Sequence, residues 1–158
     1  MFKLTALFFE ICLLKKSPQD LPHSVNLLKI LVVINILINF LLASISLNWT
    51  DALINAVAGV LLLTGFSWIC LFLNHRMARF CQTTCAVLGT DTLISLFNLP
   101  VIATIVLTQS AFAFLVMFGL IIWYWVITGH IMRNALEQSF IFSLGLTLLY
   151  LLISYQVL

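Results

Sequence analysis

The sequence predicts an all-α polytopic membrane helix bundle, with about five transmembrane helices preceded by a short interfacial amphipathic helix. Of its 158 residues, 63% are hydrophobic and 8% are charged, whereas soluble domains carry roughly a quarter charged residues. The mean hydropathy is +1.20. Such a chain has too few polar side chains to cover a soluble globule of its own volume. We therefore expect residues 1–158 to form a single membrane domain that lipid surrounds.

The N-terminal segment, residues 1–16, is predicted to form the interfacial helix. Its apolar run Phe2–Leu14 has 13 residues, and a membrane-crossing helix needs roughly 20. Glu10 interrupts the run, and Lys15 and Lys16 follow where a signal peptide would carry small residues for cleavage. We therefore expect this segment to lie along the membrane surface with its charged groups in water.

Five longer apolar segments are predicted to cross the membrane, because each approaches the roughly 20 residues that span about 30 Å of hydrocarbon. They cover residues 25–47, 52–73, 80–107, 111–132 and 139–157. The third segment, at 28 residues, is longer than a straight crossing requires. It contains Pro100, and a proline removes a backbone donor and disfavours helical dihedrals at the preceding residue. We therefore expect a helix kink or break near Asn98–Pro100.

The basic residues favour one orientation. In a five-crossing topology all seven Lys and Arg residues, including Lys3 and Lys29, fall on one side of the membrane, which the positive-inside rule assigns to the cytoplasm. The N-terminus is then cytoplasmic and the C-terminus lies on the opposite side. The predicted cytoplasmic basic cluster comprises Lys15, Lys16, Arg76, Arg79 and Arg133. Such cations either set orientation only, which we favour, or also attract anionic lipids at about 1 kcal/mol per cation.

Polar residues inside the predicted spans form two stripes. At about 100° per residue, four side chains of the third span project within a narrow arc. They are Asp91, Thr84, Ser95 and Asn98. The first span has a matching stripe of Asn35, Asn39 and Ser46. Lipid would leave such groups unpaired, so we predict that the two stripes meet inside the bundle.

Asp91 is the most informative of these residues, since it lies about 16 Å along the third span and close to the bilayer midplane. One interpretation is a proton or cation site, and the other is a carboxyl group that holds helices together through hydrogen bonds. We favour the structural role, because no buried basic partner is visible at that depth. His130 is expected to be an interfacial side chain, and its pairing with Asp91 would require bridging most of about 10 Å of depth.

The remaining candidates are interpreted as packing groups. Cys81 and Cys85 lack a third ligand, so neither a metal site nor a bound cofactor is predicted. With Gly89 they form a ridge of small groups suited to close helix contact. Trp123 and Tyr124 are expected in bilayer belts or helix contacts.

Several features of the second half are characteristic of one family. The segment Arg79–Thr83 opens an apolar helix that later contains Asn98–Pro100, and Trp123–Leu136 precedes a short turn. Over roughly residues 66–158 this pattern resembles the bacterial Yip1-like membrane domain, which has five helices and a proline late in the third. The first half is similar to small proteobacterial inner-membrane proteins that begin with the segment Pro18–Pro22. The resemblance implies the bacterial inner (cytoplasmic) membrane, with a periplasmic C-terminus, and a role in membrane organisation.

Three functions are compatible with the sequence. The leading one is a non-catalytic interaction, assembly or membrane-organising subunit, favoured by polar and small-residue faces suited to helix contacts. The alternative is a small transporter or channel component that uses Asp91 as a proton or cation site. An enzyme ranks last, because the sequence contains no H-E-x-x-H, nucleophile-elbow or phosphate-loop motif. Expected partners are the lipid bilayer and a second copy or another membrane protein, and no nucleic acid.

Overall fold

The computed structural model describes residues 2–21 and 23–157, with side chains for residues 7–19, 21 and 23–157. These residues form helices and contain no strand. The helices are α1 (Phe2–Cys12), α2 (Val25–Ala43), α3 (Trp49–Leu73), α4 (Phe80–Thr108), α5 (Ala111–Leu136) and α6 (Phe140–Val157). Helices α2 to α6 are long and apolar enough to cross a membrane. The predicted polytopic bundle of about five spans is therefore confirmed. Predictions that involve Lys3 or Pro22 lie outside the described side chains.

The helix ends differ from the predicted spans by up to four residues. Helix α2 ends at Ala43 and α5 continues to Leu136, whereas the predicted spans ended at residues 47 and 132. Arg133 lies in the last turn of α5, where a cation interacts favourably with the helix dipole. A helix can continue past the hydrocarbon with polar residues, so hydropathy alone underestimates its length.

Of the predicted kink or break at Pro100, the break does not occur, and the kink stays a prediction. Helix α4 runs without interruption from Phe80 to Thr108, with Asn98, Leu99 and Pro100 inside it. Proline removes only one backbone donor, whereas a true break would leave several backbone groups unpaired in lipid, at several kcal/mol each. Only a bend within a continuous helix is compatible with this backbone.

Helix α1 forms as predicted and packs against the bundle. The Phe8 ring occupies the space beside Gly89 where a Cβ would lie, and Trp123 Nε1 donates to the Cys12 carbonyl oxygen over 3.2 Å. The centroids of the Phe9 and Phe97 rings are 6.5 Å apart. The small-residue ridge of α4 therefore receives α1, and the position of α1 at the membrane surface stays a prediction.

Helix α4 is the centre of the bundle and packs against α1, α2, α3 and α5. The ends of α3 and α5 and the starts of α4 and α6 meet at one end of the molecule, where Arg76 and Arg79 contact Glu137. We call this end the basic side and the opposite end the far side. The described members of the predicted basic cluster all lie at the basic side.

Large apolar side chains cover the outward faces of all five long helices. Examples with more than half of their surface exposed are Val33, Leu61, Leu107, Leu115 and Ile141. Water would penalise so much exposed apolar surface, whereas lipid tails solvate it. The chain is therefore an integral membrane protein in contact with lipid.

Candidate functional site

The site is built around the Asp91 carboxylate on α4. Asn35 Nδ2 donates to Asp91 Oδ2 over 2.8 Å, and Asn39 Nδ2 donates to the same oxygen over 3.2 Å. The two asparagines are one helical turn apart on α2, so both amides lie on the same face of that helix. The predicted meeting of the two polar stripes is confirmed by these contacts.

The amides are themselves held in place. Asn35 Nδ2 also approaches Thr92 Oγ1 at 2.9 Å and the Leu88 carbonyl oxygen at 3.3 Å. Ser95 Oγ donates to Asn39 Oδ1 over 3.1 Å, and Asn39 Nδ2 also donates to Asn35 Oδ1 over 3.0 Å. Both amides therefore direct N–H groups at one carboxylate oxygen.

Two tyrosines complete the network from the other side of the bundle. The Tyr124 side chain on α5 hydrogen-bonds to Asp91, and it also bonds to Tyr150 on α6. Tyr150 in turn contacts Ser154, one turn further along α6. These contacts fit the helix-contact alternative for Tyr124. Asp91 connects α4 with α2 on one side and with α5 and α6 on the other.

Two cavities meet at Asp91. The larger, of about 300 Å³, runs between α2, α3 and α6 towards the far side, and the smaller, of about 140 Å³, lies between α4, α5 and α6. Polar side chains near the far end of the larger cavity are Ser46, Asn55 and Ser154. Asp91, Tyr124 and Leu151 line both cavities. The carboxylate is surrounded by protein, yet it retains a partly accessible surface.

Three of the predicted polar residues lie away from the hydrogen bonds of Asp91. Thr84 Oγ1 is buried without a hydrogen-bond partner, about 10 Å further towards the basic side. Asn98 lines the smaller cavity, and its Oδ1 atom also has no partner. His130 Nε2 lies 3.0 Å from Asn134 Nδ2, so the hypothetical pairing of His130 with Asp91 is absent and the interfacial interpretation fits better.

Three residues of the site were not found from the sequence. Tyr150 and Ser154 belong to a stripe on α6 with Ser143 and Thr147, at spacings of four, three and four residues. This spacing is the same helical signal that identified the stripes on α2 and α4. Asn55, on α3, has no such pattern around it, and only the packing of the helices brings it to the cavity.

The basic cluster is partly neutralised by the chain itself. Arg76 and Arg79 each contact one oxygen of Glu137, at 2.6 and 2.7 Å, and Lys16 contacts Glu10 at 2.7 Å. Hydrogen bonds from the two arginines hold the pKa of Glu137 below its usual range. These contacts join the connection between α3 and α4 to the connection between α5 and α6, and they leave fewer cations for lipid head groups.

The ligands around Asp91 are amides, hydroxyls and aromatic rings. Within residues 2–21 and 23–157 no three His, Cys, Asp or Glu side chains come close enough to hold a metal ion. Asp91 is the one carboxylic acid among the described residues that line the larger cavity. The cavity therefore has a single carboxyl group at its inner end.

Comparisons with protein-family models, with curated proteins and with solved structures find no match to this chain. Membership of the Yip1-like domain accordingly stays a prediction.

Proposed function

We propose that this chain is a small, non-catalytic transport protein in which Asp91 binds and releases a proton that crosses the membrane. The observation that carries the proposal is the position of the Asp91 carboxylate at the inner end of a cavity of about 300 Å³ that polar and apolar side chains line. An ionisable residue within a membrane span is costly, and such residues usually mark substrate or proton pathways.

The cavity favours transport over a purely structural role. A carboxyl group that only joins helices gains most when it is sealed from water, because water competes for its hydrogen bonds. Asp91 instead lines both cavities. Ser46, Asn55 and Ser154 add polar groups along the larger one, and a polar cavity of this size has room for several water molecules.

Protonation would change the contact between α2 and α4. The ionised carboxylate accepts N–H groups from Asn35 and Asn39 at Oδ2. A proton on the carboxyl group removes the negative charge, and hydrogen bonds to a neutral acceptor are roughly half as strong. Tyr124 on α5 and Tyr150 on α6 are the titratable side chains that face Asp91. Proton binding therefore weakens the attachment of α2, and a helix with two attachment states is the kind of element that transport requires.

The charge distribution supports a bacterial inner-membrane orientation with the basic side in the cytoplasm. Lys15, Lys16, Arg76, Arg79 and Arg133 all belong to that end, and the positive-inside rule places such cations in the cytoplasm. In this orientation the N-terminus is cytoplasmic, the C-terminus is periplasmic and the larger cavity opens towards the periplasm. Anionic lipids at the cytoplasmic face are proposed as a secondary contact.

The test is proton flux into liposomes that contain the purified protein and an internal pH-sensitive dye. Under an imposed pH gradient we expect the intact protein to carry protons, and we expect Asp91→Asn to abolish the flux. Asp51→Asn is the matched control, because Asp51 is an exposed carboxylate in the first turn of α3. Flux that is unchanged in Asp91→Asn, or absent in the intact protein, contradicts the proposal.

An assembly or membrane-organising subunit is the second candidate, in keeping with the Yip1-like resemblance. The observation that favours it is the hydrogen bonding by Asn35 and Asn39, which ties α2 to α4 whether or not protons move. This function predicts that Asp91→Asn lowers thermal stability and that neither protein carries protons. A stoichiometric membrane partner, or a second copy, recovered in mild detergent would then support it.

A further inference from the structure

We infer that the larger cavity binds a small organic ammonium ion that enters from the far side, and this inference rests on the proposed transport function. The acidic group in the cavity favours a cation as the ligand. Asp91 is the one carboxylic acid among the described lining residues, so its ionised form attracts one positive charge. In a site of low dielectric constant this attraction is much stronger than in water.

A divalent metal ion fits the site poorly. Ca²⁺ takes six to eight oxygen ligands, and Mg²⁺ needs nearly octahedral oxygen coordination. Here one oxygen of the single carboxylate already accepts N–H groups from Asn35 and Asn39. A monovalent cation with a diffuse charge needs fewer oxygen ligands and matches the single carboxylate.

The rest of the lining matches an ammonium group with a short apolar body. Tyr124 and Tyr150 line the cavity beside Asp91, and tyrosine rings attract ammonium ions through the negative charge of the ring face. Leu42, Ile102 and Leu151 supply apolar wall. The volume of about 300 Å³ lies at the lower end of the range for ligand pockets, so the ligand is small.

Ammonium and proton would compete for Asp91. The titratable groups that face Asp91 are Tyr124 from α5 and Tyr150 from α6, while α2 presents amides and α3 presents Asn55 to the cavity. Because Asp91 is the one acid, binding of the cation to its ionised form excludes the proton, and protonation removes the attraction. The site thereby couples entry of one ammonium ion to release of one proton.

The test is binding of tetramethylammonium to the purified full-length protein in detergent, measured by isothermal titration at several pH values. We expect saturable binding that weakens as the pH falls, and no saturable binding of tert-butanol, which is of similar size but uncharged. Asp91→Asn should weaken tetramethylammonium binding at least tenfold, whereas Asp51→Asn should leave it unchanged.

Asp91→Asn also changes the hydrogen bonds between Asp91 and α2, so a second variant is needed that blocks the cavity without changing those bonds. Ser154→Phe fills the cavity from α6, and we expect at least a tenfold loss of binding with the melting temperature of the free protein nearly unchanged. Absence of saturable binding to the intact protein, or binding by Asp91→Asn and Ser154→Phe that equals binding by the intact protein, overturns the inference. Proton flux that still depends on Asp91 would then leave the transport proposal standing, so the two failures are distinguishable.

Discussion

The half of the bundle near the basic side and the half near the far side are packed differently. The buried side chains of α4 lie between Cys81 and Ser95, and none lies beyond Ser95. Along α5, Ala113 is buried, and the other buried side chains lie between Ile127 and Leu136. The basic half is therefore a dense core, whereas the far half contains both cavities that meet at Asp91.

Under the proposed transport function, this difference would assign separate tasks to the two halves. The dense half would seal the membrane, and Arg76 and Arg79 contact Glu137 at its end. The far half has fewer side chains fixed by packing and would be the half that changes shape. Asp91 lies at the boundary between the halves, where a change in its charge would affect the far half and leave the dense half intact.

Water access should differ most sharply between the halves. Ser154 lines the larger cavity and Ala135 is fully buried, so a cysteine at position 154 should react with a membrane-impermeant maleimide and one at position 135 should not. The four native cysteines are buried, and burial raises the pKa of the Cys12 thiol to about 11, which keeps it unreactive. The labelling is measured in right-side-out bacterial vesicles. Labelling at position 135 would show that water reaches the core of the basic half.

Core stability should also be concentrated in the basic half. Leu88 is fully buried, whereas Leu107 is 82% exposed near the far end of the same helix. We expect Leu88→Ala to lower the free energy of unfolding by about 2–5 kcal/mol. Leu107→Ala is the matched control and should change it by less than about 0.5 kcal/mol. Denaturation in mixed micelles measures both, and equal losses would show that the two halves are packed alike.

The contact between α1 and α4 is tested by comparing substitutions at two glycines, Gly89 and Gly65. A Cβ at position 89 collides with the Phe8 ring, whereas one at Gly65 on α3 meets nothing within 4 Å. We expect Gly89→Ala to destabilise the protein by about 1–3 kcal/mol or to displace α1. Gly65→Ala should raise stability by up to about 1 kcal/mol, because alanine favours the helix. Thermal unfolding and proteolysis of the N-terminus distinguish these results, and tolerance of Gly89→Ala would mean that α1 is not docked there.

The number of spans and the central polar contact were predictable from the sequence, for identifiable physical reasons. Hydropathy predicts the spans because placing charges or unpaired backbone groups in lipid costs free energy. Helical periodicity predicts the polar contact because it places Asn35 and Asn39 on one stripe, and Asp91 and Ser95 on another. Helix periodicity does not specify which helices become neighbours.

The contributions of Tyr150 and Asn55 therefore appeared only in the structure. The docking of α1 on α4 was not predicted for a related reason. The Phe8 ring lies against Gly89, and that contact joins residues far apart in the sequence.

The smallest expected effect concerns the contacts that close the basic side. Glu137 is exposed, and hydrogen bonds from Arg76 and Arg79 hold its pKa below the ordinary 4.5. Because the pKa is lowered in the folded state, the stabilisation is present above the ordinary pKa and is lost as the pH falls through the lowered value. Glu137→Gln should therefore lower the melting temperature slightly at neutral pH and less at about pH 3. High salt should also reduce the difference, because exposed ion pairs are screened. A difference that is independent of both pH and salt would show that residue 137 acts through packing, and the seal would then depend on the dense core alone.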